Sequence, residues 1–192
     1  MNLGQVKTRA LALMDEYSVD GTLNSETENA DYLNRMAVFA SDAQFEIADK
    51  VNIDASIVYQ LEKQDDSVKY HKLDLPTNYK ELKFIYFNDE LFEGAYRLVN
   101  RQLWISSGYV GVLELFYNKN PQTLDAETED SYEFEVEEHV QHLIPYYVGG
   151  QAFSGEKDEI SDKLLNLYYG KLDAVRKEYN DGQQTIDTTF FM

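Results

Sequence analysis

Two segments with helical spacing enclose a long block of strand-like alternation in this chain, and that order limits how it can fold. Apolar residues recur every three or four positions in residues 29–52 and again within 135–180, whereas polar and apolar residues alternate through much of the block between them. Because neither helical segment can bury its apolar side alone, we expect the two to pack together and leave the strands as an inserted lobe.

The predicted fold class is therefore α+β: an antiparallel helical bundle with an inserted small antiparallel β-rich lobe and an extended C-terminal tail. A length of 192 residues fits one domain with such a lobe better than two full domains. The expected parts are a discontinuous helical bundle of residues 1–52 and 135–180, a β-rich lobe at 53–121, an acidic linker at 122–134 and a tail at 181–192.

Four helices are expected within these parts. A kink or break is predicted near Ile144, because Pro145 cannot donate a backbone hydrogen bond inside a helix. Helices are predicted over residues 3–17, 29–52, 135–153 and 156–180.

The alternating block predicts a hairpin of residues 57–61 and 68–72, joined by a turn at 64–67. Pro76 should mark the point where the second strand leaves the sheet, since proline has no backbone donor. In residues 110–117 both alternating sets are largely apolar, which predicts a central strand covered on two sides.

Composition limits the classes of partner. The chain carries 35 acidic and 17 basic side chains, a formal net charge of -18. Duplex DNA is bound mainly through Lys and Arg that displace counterions, so specific DNA binding is not expected. The acidity suits solubility before assembly, or an acidic wall past which a DNA duplex moves without sticking.

The absence of cysteine excludes disulfides and thiol chemistry, and fits synthesis in a reducing cytoplasm. No secretion signal or membrane-spanning stretch is recognised, so no membrane partner is expected.

No arrangement of residues in the sequence predicts catalysis. His139 and His142 lie one helical turn apart, but the other ligands of a metal site are missing, so a partly buried helix face is predicted instead. Tyr59 and Lys63 have the spacing of a reductase pair, without any dinucleotide-binding glycine pattern. Phosphate-binding loops and nucleophile elbows are also absent. We therefore predict no catalytic residue, no metal, no cofactor and no enzymatic activity.

The end of the chain has an apolar character that suits contact with another surface. Ile186, Phe190, Phe191 and Met192 are the predicted partner-binding residues. Docking of this tail on its own fold and disorder are the alternatives to docking on a partner.

Several short motifs occur in an order that is found in one protein family. They are Leu73-Asp74-Leu75-Pro76-Thr77-Asn78-Tyr79, Leu115-Phe116-Tyr117-Asn118-Lys119-Asn120-Pro121, Leu143-Ile144-Pro145-Tyr146-Tyr147 and Tyr168-Tyr169, with an acidic spacer after the second. In this order, over residues 29–180, the chain resembles the head-to-tail adaptor (connector) proteins of tailed bacteriophages. It departs from their pattern at Gly149-Gly150, where small helix-compatible residues such as Ala are expected.

The resemblance implies a virion structural protein that forms a homo-oligomeric ring, commonly of twelve copies. Such a ring joins the portal protein to the tail or to a second connector protein, and genomic DNA passes through its channel without specific binding. The implied location is the neck of the virion, after synthesis in the host bacterial cytoplasm. Two alternatives stay open. One is a non-viral or other phage interaction module that binds a protein ligand through its β-rich lobe, and the other is an enzyme with an unmarked site.

Overall fold

The contacts within the chain divide it into two units. We call Met1–Asn52 together with Pro121–Met192 the α unit, and Ile53–Asn120 the β unit. The structure, a computed structural model, describes residues 1–14, 27–155 and 158–187, with the backbone alone described at 27–31 and 176–187.

Helices and strands are segregated between the two units. The described helices of the α unit are α1 (Leu3–Leu13), α2 (Thr27–Ala48), α3 (Ile144–Phe153) and α4 (Asp158–Asp187), with a 3-10 turn at Gln141–Leu143. The strands of the β unit are β1 (Ile53–Leu61), β2 (Tyr70–Asp74), β3 (Tyr79–Phe87), β4 (Glu90–Leu91), β5 (Tyr96–Val99), β6 (Gln102–Ser106) and β7 (Gly111–Lys119). They form two antiparallel sheets, of order β1-β7-β3-β4 and β2-β6-β5.

The predicted fold class is wrong. The chain is a mixed α/β protein whose strands form two antiparallel sheets in a sandwich-like arrangement, and it is not a helical bundle with a small lobe. The physical reason is the core of the β unit, in which Leu103 and Ile105 from one sheet pack in the same cluster as Leu113 and Leu115 from the other. Two sheets that bury their inner faces against each other form a layered core of their own.

The third helix was predicted to begin at residue 135, and this start is wrong. α3 begins at Ile144, with Pro145 in its first turn. Proline suits this position because its missing N–H would have no helical partner there. Residues 135–140 precede the helix and are not part of it.

The extended tail predicted from residue 181 is also wrong over its first part, because α4 continues to Asp187. Gly182 was expected to end the helix. One glycine inside a helix costs about 1 kcal/mol relative to alanine, whereas elongation of a long helix adds a hydrogen bond per residue without a new nucleation step. Residues 188–192 lie outside the described residues.

The strand predictions have mixed outcomes. The predicted hairpin is wrong, because β1 pairs with β7 while β2 pairs with β6 in the other sheet. The end of a strand before Pro76 is confirmed, since β2 ends at Asp74. The central position of the last strand is confirmed, since β7 lies between β1 and β3.

A buried glutamine ties the segment that follows the β unit to α2. Gln44 is fully buried. Its Nε2 donates to the backbone carbonyl of Gln122 at 3.2 Å, and its Oε1 accepts from the backbone N–H of Glu135 at 2.9 Å. The Tyr132 hydroxyl oxygen lies 3.3 Å from Nε2 and 3.4 Å from Oε1. One side chain thereby satisfies backbone groups at two places along this segment.

α3 and α4 come close together at Gly150. A Cβ atom placed on Gly150 would lie 2.7 Å from Leu165 Cγ and 2.9 Å from Leu165 Cδ2. At Gly170, which is exposed on α4, the same atom would meet nothing within 4 Å. The neighbouring helix leaves no room for a methyl group at position 150, which explains why glycine stands there instead of alanine.

Replacement of Gln44 should destabilise the chain strongly. Gln44→Leu leaves the partly buried carbonyl of Gln122 and the partly buried N–H of Glu135 without their partner. At about 1–2 kcal/mol for each group, we expect a loss of about 2–4 kcal/mol in the free energy of unfolding. Urea unfolding followed by circular dichroism measures it. Gln64→Leu, at an exposed position, is the control and should change the value by less than about 0.5 kcal/mol. Equal losses in the two variants would contradict the anchoring role.

Alanine at the two helix glycines should change stability in opposite directions. Gly170→Ala should stabilise the chain by about 1 kcal/mol through helix propensity alone. Gly150→Ala gains the same propensity, but overpacking against Leu165 costs about 1–3 kcal/mol, so we expect a net destabilisation. Thermal unfolding of both variants under one condition checks the signs. A stabilised Gly150→Ala chain would show that the two helices separate easily.

Candidate functional site

The outer face of the four-stranded sheet is partly apolar. Side chains alternate along β7, with Leu113 and Leu115 in the core and Val112, Glu114 and Phe116 on the opposite face. β7 is paired with a strand on each side. This pairing holds its outward side chains at a fixed spacing.

Strand register gathers aromatic rings on this face. Phe84 of β3 lies opposite Phe116 of β7, and Tyr86 lies opposite Glu114. The Phe84 and Phe116 rings stack, with centroids 4.7 Å apart and an interplanar angle of 28°. Tyr86 meets both rings in T-shaped contacts, at 5.6 Å from Phe84 and 5.7 Å from Phe116. We call Phe84, Tyr86 and Phe116 the aromatic cluster.

A β-bulge in β3 directs Phe84 outward. Leu82 lies opposite Tyr117 and Phe84 lies opposite Phe116, so two residues of β3, Leu82 and Lys83, occupy the space of one residue of β7. Leu82 packs against the inner core. In a regular strand, residues two apart point to the same side, so Phe84 would also point inward without the bulge.

The surroundings of the aromatic cluster are open to water. Val58 lies opposite Glu114 on the β1 side, and Leu91 lies opposite Tyr86 on the β4 side. Val58 is 60% exposed, Leu91 58% and Phe84 40%. Apolar side chains that are exposed together in this way are typical of a surface that another molecule covers.

A shallow cleft of about 380 Å³ lies at the aromatic cluster and is lined by its three rings together with Asp89 and Glu114. Asp89 belongs to the turn between β3 and β4 and has a φ of 66°. Within the part of the chain that the structure describes, neither carboxylate has an ion pair or a hydrogen bond from another side chain. The cleft thus combines aromatic surface with two uncompensated negative charges.

The residue pattern of β7 did not indicate this face, because it predicted a strand covered on two sides. That prediction is wrong, since Val112 is 42% exposed. Glu114 was an available signal, because a charged residue inside one alternating set is typical of a face open to water. The outward direction of Phe84 had no such signal, since it depends on the bulge.

A second group of polar side chains surrounds Glu46 of α2 in the α unit. Burial raises the pKa of Glu46, and hydrogen bonds from Tyr168, Tyr147 and Tyr169 counteract part of that effect. Burial is also the main reason that the pKa of Tyr147 is raised to about 12 and that the pKa of Tyr168 is raised as well. Their raised pKa values keep these phenols protonated at neutral pH. The Tyr168 hydroxyl of α4 donates to the Ala43 carbonyl of α2 at 3.4 Å, which joins these two helices.

A wide cleft of about 830 Å³ lies beside α1 in the α unit. Its lining mixes charges of both signs, with Arg9 and His142 near Asp130 and Glu138. The N-terminal amino group donates to Gln141 Oε1 at its edge. This mixture does not single out one class of ligand.

The two histidines considered in the sequence have other partners. His142 Nδ1 lies 2.7 Å from the His139 carbonyl oxygen, and His139 Nδ1 lies 3.1 Å from Glu137 Oε2. Across the described residues, no group of three or more His, Cys, Asp or Glu side chains is arranged to hold a metal ion. Among the described helices, none combines the length and the apolar character needed to cross a bilayer.

Most of the predicted partner-binding residues lie outside the part of the chain that the structure describes. Ile186 lies within α4, whose backbone alone is described there. Phe190, Phe191 and Met192 lie outside the described residues. Partner binding by this end of the chain stays a prediction.

Comparison of the chain with protein-family models and with curated protein sequences finds no match. We therefore infer function from the residues and surfaces described above.

Removal of the Glu46 charge should make stability less dependent on pH. The pKa of Glu46 is raised in the folded chain from an ordinary value of 4.5, so its ionisation weakens folding as the pH rises through the folded-state pKa. Glu46→Gln should therefore melt at a higher temperature than the unchanged chain at pH 7, and this advantage should disappear below a pH of about 4.5. Glu62→Gln, at an exposed position, should leave the melting temperature unchanged at both pH values. An advantage for Glu46→Gln that persists in acid would contradict the linkage.

Proposed function

We propose that this chain is a structural protein of tailed-bacteriophage assembly, a head-to-tail adaptor. In this role it forms a homo-oligomeric ring between the portal protein and the tail or a second connector protein. Genomic DNA passes through the ring without specific binding. The protein acts in the neck of the virion, has no catalytic residue and uses no cofactor.

The observation that carries the assembly class is the exposed aromatic cluster with its apolar surroundings. The β unit already has an inner core shared by both sheets. Val58, Leu91 and Phe84 nevertheless remain open to water on its outer face. Contiguous apolar and aromatic surface of this kind is typical of protein–protein contacts, in which Tyr and Phe are enriched.

The order of the sequence motifs supports the adaptor role within that class. Residues of those motifs have structural positions here, since Tyr117, Tyr147 and Tyr168 are buried and Pro145 lies in the first turn of α3. The resemblance therefore concerns residues that position the helices and strands. A formal net charge of -18 is consistent with a channel wall that does not hold DNA.

The exposed face also suits a second function, an interaction module that binds a protein ligand through the β unit without forming a ring. The face belongs to the β unit alone, so it does not require self-assembly. The state of association of the chain separates the two functions.

Sedimentation velocity and negative-stain electron microscopy, over a range of concentrations and with the portal protein of the same phage, test the adaptor role. We expect monomers in dilute solution, and rings with a central channel at high concentration or on the portal. A chain that stays monomeric under all of these conditions would contradict the adaptor role and favour the interaction module. A chain without residues 188–192 should still fold but lose portal binding if this segment makes the contact.

A further inference from the structure

We propose that the cleft at the aromatic cluster binds an arginine side chain presented by a partner protein. This inference rests on the proposed function, because it names the chemistry of the partner that the assembly surface receives.

The first support is the charge of the cleft. Asp89 and Glu114 line it together with the rings, and none of the described residues that line it is basic. Lys83 is the base of β3 on the bulge next to Phe84, but its Nζ is paired with both Asp54 carboxylate oxygens, at 2.9 and 2.8 Å. An occupant that carries positive charge would therefore supply what the surrounding side chains do not.

The second support is a comparison with the other sheet of the same unit. There the Trp104 ring has Tyr70 beside it, with centroids 5.9 Å apart. Lys72 Nζ lies 4.5 Å from the centroid of Trp104, within the range of a cation–π contact. That aromatic surface thus has a cation from its own chain. Among the described residues, no cation–π contact involves the aromatic cluster.

The third support is the fit of a guanidinium group to both parts of the cleft. A guanidinium is planar, packs on aromatic rings and binds carboxylates through paired N–H donors. It is also less strongly hydrated than the ammonium group of lysine, so it enters an apolar rim more readily. Val58 and Leu91 form that rim and would be covered by the residues that flank the arginine.

Sugars are the other ligands commonly held by aromatic residues with carboxylates, and the charge of the cleft disfavours them here. Asp89 and Glu114 line the cleft without an ion pair among the described residues. Two such carboxylates favour a cation over a neutral ligand.

The test is a titration of the full chain, at a concentration where it is monomeric, with the peptide acetyl-Gly-Leu-Arg-Leu-Gly-amide. Binding is followed by chemical shift changes in NMR spectra. The same peptide with citrulline in place of arginine keeps the shape and removes the charge. We expect the arginine peptide to shift the signals of Phe84, Tyr86 and Glu114, and to bind roughly tenfold more tightly than the citrulline peptide. Added salt should weaken the binding of the arginine peptide and leave the binding of the citrulline peptide unchanged.

Two matched variants test whether the carboxylate of Glu114 contributes to binding of the arginine peptide. Glu114→Gln keeps the shape of the side chain and should weaken binding of the arginine peptide roughly tenfold. Glu62→Gln, at an exposed position of the β unit outside this cleft, should leave binding unchanged. If Glu114→Gln does not fold, as judged from its amide spectrum, Asp89→Asn in the exposed turn replaces it with the same expected direction.

Several results would overturn the proposal. These are equal binding of the two peptides, shifts confined to residues away from the cleft, no shifts at millimolar peptide, or stronger shifts at the cluster with maltotriose than with the arginine peptide. The titration is independent of ring formation. A chain that forms rings but ignores the arginine peptide would overturn this inference alone, and a chain that binds the peptide but never forms rings would overturn the adaptor role alone.

Discussion

The hydrogen bonds of the buried Gln44 amide are the interaction on which the α unit depends. This unit is made of two stretches of chain that are separated in sequence by the whole β unit. Gln44 connects them, because its amide satisfies backbone groups at Gln122 and Glu135 while it sits on α2. A buried amide that pairs with backbone groups is costly to disturb, so it also specifies where the returning chain must lie.

In the β unit, one face of each sheet is buried in a shared core, and the other face of the four-stranded sheet is exposed. β7 is paired on both sides, and its alternation supplies Leu113 and Leu115 to the core and Glu114 and Phe116 to the outside. The bulge in β3 then adds Phe84 to that outer face. A central strand and the bulge between Leu82 and Phe84 therefore produce an aromatic, acidic surface on this sheet.

These features support the proposed assembly role. The tyrosines near Glu46 lie on α3 and α4, and their raised pKa values keep the phenols protonated at neutral pH. The exposed rings and unpaired carboxylates lie on an open sheet face, where a partner can cover them. Proteins that assemble on demand commonly carry such a face on a framework that folds by itself, because apolar contact provides affinity and charge selects the partner.

The sequence by itself determined features that depend on nearby residues: the helical period of α2, the end of β2 before Pro76 and the central place of β7. Spacing and backbone chemistry act over a few residues, so a linear reading can recover them. Only the tertiary structure decided which strands pair, how far α4 runs and where Phe84 points. Those outcomes depend on contacts between residues that are far apart in the chain. The local sequence pattern does not show which of the possible pairings gives the best-packed core.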